Sequence, residues 1–308
     1  MKILSIGFHG GALRAIEDMV DGSHDIRSEL LAIDPSGYHY NMTHERASYL
    51  WRTHKDFYNE FDVVITSDTA PLSRIFLQGG YTGRLIVYVC NRVDYYDGSG
   101  DGFPDTAYYN LLRGAMGNPN VSLIGYTPYE QVYCNRLGIY LEDIIKPCFR
   151  IGGSAYSSHH GYYIPDYQNN YTFDLKVKAG GLNVLSGRHD GIDHLATFKA
   201  VIHLPYHWNG IANSEALSVG VPYYVPSKRF LLALSKEKGY WFQNAGDLEK
   251  WVDICDFYDK RYRDWLFYFD SWQDIHDIEP DYGLIRDLAC RVYFENRRKL
   301  LNILDRWK

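Results

Sequence analysis

Cysteine is scarce in this chain and unpatterned. Five residues, Cys90, Cys134, Cys148, Cys255 and Cys290, are scattered over 308 positions with no Cys-x-x-Cys pair. That excludes a disulfide-built scaffold and a thiolate zinc knot, and it predicts a reducing, cytoplasmic setting. Long hydrophobic runs are also missing: no stretch approaches the ~20 apolar residues of a membrane-spanning helix. Residues 1–8 are too short for the apolar core of a secretory leader, and Gly10-Gly11 interrupts them. Three sequons, at Asn41, Asn120 and Asn170, are chance matches in a chain read as cytoplasmic. There is no basic excess. A net charge of −6 argues against nucleic acid as the main partner. No internal repeat or low-complexity tract is visible.

What is abundant is aromatic side chain, 16% of the residues, with 28 tyrosines. Tyr and Trp offer an apolar face and a polar tip, which suits sugars and bases, although most tyrosines in any chain serve the core or surface. Hydrophobic content of 46% is enough for a full core, and the length fits one large or two medium domains. The first half alternates strand and helix signals. Strands are expected at 2–8, 30–33, 61–66, 84–90 and 121–125, and helices at 12–20, from 71, and at 105–116. Thr127-Pro128-Tyr129-Glu130 is a capping box with Pro at the first helical position, and Gly138 is the expected stop. Regular βα alternation implies a parallel, doubly wound sheet.

Residues 149–180 carry Gly152-Gly153, His159-His160-Gly161 and few periodic apolar positions, which reads as a linker or long surface loop. A second α/β unit is expected from 182, with strands at 182–185, 200–204, 221–225 and 240–243. Its helices are expected at 192–199, 211–219, 228–238 and 247–258. A long amphipathic helix occupies 284–307. The resulting domains are 1–150, 151–283 and a terminal helix 284–308.

The most informative segment is 203–227. An apolar strand runs into His207, Trp208 and Asn209, and a short helix then carries one carboxylate, Glu215, before Gly220 stops it and a second strand follows. In parallel α/β sheets ligands bind at the carboxyl ends of strands, beside helix N-termini. Ser227-Lys228-Arg229 opens another helix after a strand and would suit an anion, or be only a solvated first turn. Gly7-Phe8-His9-Gly10-Gly11 follows the first strand and offers a phosphate cradle or a tight turn, but not the Gly-x-Gly-x-x-Gly dinucleotide fingerprint. Asn91, Arg92 and Asp94 follow the most apolar strand; they suit a cleft floor, with Asp94 a possible general base, or a structural Arg–Asp pair. Asp97, Ser99 and Asp101 start like a calcium loop, but Tyr108 stands where the bidentate Glu belongs. His189, His194, His203 and His207 lack the Cys or carboxylate support of a zinc site. No metal is expected.

Glu215-Ala216-Leu217-Ser218-Val219-Gly220-Val221-Pro222, with Gly210 and Ile211 in the preceding spacer, resembles the donor motif of retaining GT-B glycosyltransferases. In that family a Glu, seven residues and a second Glu precede a small–small–x–Gly–x–Pro run. Here His207 takes the place of the first Glu. The resemblance implies a GT-B fold of class α/β: two Rossmann-like domains facing across a cleft, a short second domain with about three βα units, and a C-terminal helix crossing back. It implies transfer of a sugar from a nucleoside-diphosphate sugar to a glycan or other hydroxyl acceptor. No cofactor or metal is needed, and retention is favoured over inversion. Glu215 would bind the ribose hydroxyls. The N–H groups of Asn209, Gly210, Ile211 and Ala212, with Trp208 nearby, would face the diphosphate. Arg188, Lys228 or Arg229 would neutralise it, and Gly10-Gly11 would close the site. His207 would touch the sugar or a phosphate. A catalytically lapsed nucleotide- or sugar-binding module and a GT-B-type nucleotide-sugar epimerase are the alternatives.

Overall fold

The structure is a computed structural model describing residues 1–31, 42–90, 92–94, 105–151 and 161–308. It divides into two compact units. Unit 1 comprises Met1–Pro147 with Glu295–Lys308, and unit 2 comprises Cys148–Phe294.

In unit 1, β1 (Lys2–Gly7), β2 (Asp25–Leu30), β3 (Val63–Thr66), β4 (Arg84–Val89), β5 (Val121–Gly125) and β6 (Asp143–Ile144) form one parallel sheet in the order β2-β1-β3-β4-β5-β6. Strands β3 and β4 are apolar along nearly their whole length and buried on both faces, as interior parallel strands are. The edge strand β2 reads Asp-Ile-Arg-Ser-Glu-Leu and is half exposed. An apolar-run criterion therefore misses it and selects 30–33, half of which lies outside the described residues. Helices α1 (Gly10–Val20), α2 (His44–Tyr58), α3 (Arg74–Leu77), α4 (Thr106–Ala115) and α5 (Pro128–Arg136) connect the strands. Helix α1 buries Ala12, Leu13, Ala15, Ile16, Met19 and Val20, the 3.6-period face expected from sequence. Helix α2 was not expected. It buries only Ala47 and Tyr58, so no apolar stripe announces it, and Thr43 caps its first turn. The Thr127 capping box is formed.

Unit 2 repeats the topology. Strands β7 (Tyr162–Pro165), β8 (Val184–Gly187), β9 (Val201–Ile202), β10 (Tyr223–Pro226) and β11 (Leu266–Phe269) lie in the order β11-β10-β9-β7-β8, all parallel. The linker expected over 149–180 is overturned, because the interior strand β7 and two short helices, α6 (Gln168–Thr172) and α7 (Leu175–Lys178), lie within it. A four-residue strand of Tyr, Tyr, Ile and Pro has no periodicity to read. With five strands, unit 2 is more complete than the three βα units counted from sequence. The strand expected at 240–243 is also absent. Gln243 there donates its N–H to the Tyr206 carbonyl at 2.9 Å, and β11 completes the sheet instead. The remaining helices are α8 (Ile192–Leu195), α9 (Ile211–Ser218), α10 (Lys228–Leu234), α11 (Ala245–Trp251) and the long α12 (Tyr282–Asp305).

The last turns of α12 belong to unit 1. Asn296 accepts from the Lys146 N–H at 2.7 Å, Lys299 pairs with Asp143 at 2.9 Å, and the Trp307 indole donates to the Pro119 carbonyl at 2.8 Å. Among the described residues, no helix is long and apolar enough to cross a membrane.

Candidate functional site

Each sheet reverses its winding once, and each reversal opens a crevice at the carboxyl ends of two neighbouring strands. In unit 1 these are β1 and β3; in unit 2 they are β7 and β9.

The unit 2 crevice gathers groups from the end of β8, from the segment after β9, and from Tyr163, the second residue of β7, whose side chain reaches the end of β8. From β7, Tyr163 donates its hydroxyl to the Gly187 carbonyl at 2.6 Å and sets its ring edge-on to His189 at 5.6 Å. Burial first, and then neighbouring charges including Glu215, push the Tyr163 phenol up to about 12, so it stays a donor. From the end of β8, Gly187 and Gly191 adopt φ of +121° and +94°, where a side chain is strained, and they bracket Arg188, His189 and Asp190 in a tight hook. Arg188 is exposed and makes no ion pair among the described residues. His189 brings Nε2 to 3.8 Å from Glu215 Oε2. Glu215 sits in the second turn of α9 with its side chain only 13% exposed.

The loop after β9 is packed with rings. His203 is buried, and its neighbours are Tyr167, Tyr206, Tyr223 and Phe257. Burial, and then His207, hold its imidazole well below the usual range, so it is a neutral core residue. His207 is half-buried and lies against Tyr206, ring centroids 4.0 Å apart. Trp208, expected at the donor site, is instead wholly buried, with Phe242 edge-on at 5.0 Å and Trp251 at 6.5 Å. It presents no surface to a ligand; an indole beside a strand end is read as a stacking ring by sequence, but here it fills the core under α11.

The N-terminus of α9 is partly satisfied from within. The fully buried Asp256 accepts from the Gly210 N–H at 3.2 Å and from the Asn213 amide at 3.0 Å. That withdraws Gly210 from the expected diphosphate cradle and leaves Ile211 and Ala212, whose N–H groups have no partner inside the helix. Asn209 is 7% exposed. A Cβ on Gly210 would meet the Phe257 ring at 3.0 Å, so this glycine permits close packing at the helix start. Lys228 and Arg229 do open α10, but each already faces a carboxylate: Lys228 pairs with Asp253, and Arg229 with Asp270 at 3.1 Å.

In unit 1 the loop after β1 is short. His9 caps α1, its Nδ1 accepting from the Ala12 N–H at 3.3 Å. Gly10 is exposed with open space around its Cα, and Gly11 is half-buried. After β3, Asp68 adopts φ +75°, one of three non-glycine residues in the left-handed region among those described. Burial pushes its carboxyl up to about 7. Such outliers concentrate at functional sites, where the surrounding fold must hold them. Asp94 is differently placed. It accepts from the Tyr109 and Tyr133 hydroxyls at 2.7 and 3.0 Å and lies 3.1 Å from Arg92 Nε, the structural pair weighed as one alternative from sequence. Asn91 and the calcium-like loop lie outside the described residues. Among those described, no cluster of three or more His, Cys, Asp and Glu side chains could hold a metal ion.

Sequence reasoning thus missed Asp68, Tyr163, Asp256 and the His189 contact. Asp68 had a signal, a carboxylate two residues beyond an apolar strand. Tyr163 had none once β7 was read as loop.

No family model matches the chain, and no curated protein matches it in sequence. Solved structures do. The chain is similar to HepE from Anabaena in complex with UDP and glucose, at 14% identity and a TM-score of 0.50, with 99% of each chain covered. It is similar also to UGT89C1 from Arabidopsis thaliana complexed with UDP, at 10% identity and a TM-score of 0.51, with 100% of each covered. These likenesses show the fold: two parallel-sheet, Rossmann-like domains of the GT-B type.

Proposed function

We propose that the protein is a glycosyltransferase that moves a sugar from a nucleoside-diphosphate sugar to a hydroxyl of a glycan or other glycoconjugate, without a metal ion. The observation that carries this is Glu215, a largely buried carboxylate on the helix that follows the switch-point strand β9. A carboxylate accepts two hydrogen bonds at once, which suits the adjacent ribose hydroxyls of a nucleotide. The Ile211 and Ala212 N–H groups at the helix start and the exposed Arg188 suit the diphosphate. HepE and UGT89C1, which share the fold, hold UDP in their solved structures. Lys228 and Arg229 could add charge only by leaving Asp253 and Asp270. His207 keeps its proposed contact with the transferred sugar, where an imidazole can donate as a carboxylate cannot.

In the transfer, the acceptor oxygen bonds to the anomeric carbon as the bond to the diphosphate breaks. The electron pair leaves with the nucleoside diphosphate, and the acceptor's proton passes to a base. The Glu-x7-Glu resemblance implies retention. A specific observation favours a second reading, inversion. Asp68 stands at the unit 1 switch point, with a carboxyl that burial makes basic enough to take a proton near neutrality. Asp94 instead has two tyrosine hydroxyls and the Arg92 guanidinium on its carboxylate.

The test is release of nucleoside diphosphate from a panel of UDP-, GDP-, ADP- and dTDP-sugars, with and without oligosaccharide acceptors. NMR of the product's anomeric proton then reads the stereochemistry. Acceptor-dependent release supports a transferase. Change of the sugar without release would indicate an epimerase, and neither outcome would leave a binding module.

A further inference from the structure

Glu215 does not stand alone in its crevice, and the group beside it is held unusually firmly. The loop after β8 is turned by two glycines in the left-handed region, Gly187 at φ +121° and Gly191 at φ +94°. Between them His189 is clamped twice. The ring edge contact with Tyr163 has centroids 5.6 Å apart and planes at 85°, and Tyr163 is itself tied to the Gly187 carbonyl at 2.6 Å. The second clamp is a hydrogen bond from His189 Nδ1 to the Gly191 carbonyl at 2.9 Å. A carbonyl oxygen only accepts, so Nδ1 carries a proton. The opposite nitrogen, Nε2, is thereby aimed at Glu215 Oε2, 3.8 Å away.

We propose that His189 is the positioning residue of Glu215: it aims the carboxylate at the ribose hydroxyls and so gives the site its preference for ribonucleotides over deoxyribonucleotides. This rests on the donor reading of Glu215 given above. Both ring nitrogens face acceptors, Nδ1 the Gly191 carbonyl and Nε2 the Glu215 carboxylate. The neighbouring charges do not compete for the ring. Asp190 faces His194 at 3.6 Å, and Arg188 is exposed. At 3.8 Å the contact is longer than a hydrogen bond and fixes which side of the carboxylate faces the ring. A site built to bind hydroxyls in this way rejects the ligand that lacks one, because its polar groups are then left unpaired.

The test is calorimetric binding of UDP, GDP, ADP and CDP, each against its 2′-deoxy counterpart. The proteins are the wild type, His189→Ala and His189→Gln. The wild type should prefer one ribonucleotide over its deoxy form by about tenfold to a hundredfold, the range of a hydrogen bond to a charged group. His189→Ala should lose most of that preference, its affinity for the ribonucleotide falling more than its affinity for the deoxy form, which keeps the 3′-hydroxyl; an unchanged melting temperature shows that the variant is folded. His189→Gln, whose amide can still donate, should recover part of it. An unchanged ratio in His189→Ala overturns the positioning role. A wild type that binds a nucleotide without the preference removes the ribose contact of Glu215 and His189's role with it. A wild type that binds none of the eight removes the donor reading itself.

Discussion

Asp68→Asn separates two consequences of one buried carboxyl. Burial raises the Asp68 carboxyl from 3.8 to about 7. The folded state therefore binds a proton that the unfolded state has already released between those values. Stability from this group is fully present below the unfolded pKa and is lost as pH rises through about 7. At about 1.4 kcal/mol per unit, the loss has a ceiling on the order of 4 kcal/mol, and partial exposure reduces it. Asn is nearly isosteric, carries no charge and tolerates the left-handed backbone that Asp68 adopts at φ +75°. Urea unfolding of both proteins from about pH 3.5 to about pH 8 should give matching stabilities at the acid end, a gap that opens above about pH 4, and a more stable variant at the alkaline end. Coincident profiles over the whole range would refute the burial argument. On the inverting reading the same variant loses transfer but keeps nucleotide affinity, and the wild-type rate rises with pH through about 7.

Other residues give sharper structural tests. Glu215→Ala should weaken UDP binding by about 1.5–3 kcal/mol in calorimetry if the carboxylate holds hydroxyls, with the melting temperature little changed. Trp208→Ala should destabilise unit 2 by about 3–5 kcal/mol, because a wholly buried indole is removed; a small loss in a denaturant titration would mean that Trp208 is not core. Gly187→Ala, at φ +121°, should cost about 1–2 kcal/mol and weaken nucleotide binding through the displaced His189 loop. Lys228→Ala should change nucleotide affinity little, since its partner is the exposed Asp253.

The fold was legible where strands were continuously apolar and helices carried caps. β3, β4, β5, α1 and the Thr127 capping box all follow from local pattern, and alternation of these elements gave the parallel sheet. It was illegible where burial came from the sheet rather than from the residues. The edge strand β2 is polar, β7 is four residues long, and β9 is reduced to Val201–Ile202. Missing β7 had a cost at the site. It hid Tyr163, and with it the reason His189 reaches Glu215. The segment around Glu215 was readable because a strand, a polar loop, one carboxylate and a stopping glycine follow each other within a few residues. The fate of its neighbours was not: which aromatic lines a crevice and which fills a core depends on α11 and the chain after it, as Trp208 shows. Lys228 and Arg229 read as phosphate ligands because their partners, Asp253 and Asp270, lie 25 and 41 residues further along.

The central claim is that unit 2 holds a nucleoside diphosphate through Glu215. The most direct measurement is a thermal-shift titration of the purified protein with UDP, GDP, ADP, CDP and dTDP, repeated with Glu215→Ala. One nucleotide should raise the wild-type melting temperature in a dose-dependent way, and the variant should need a higher concentration for the same shift. No shift with any of the five at millimolar ligand, or an identical shift in the variant, would contradict it.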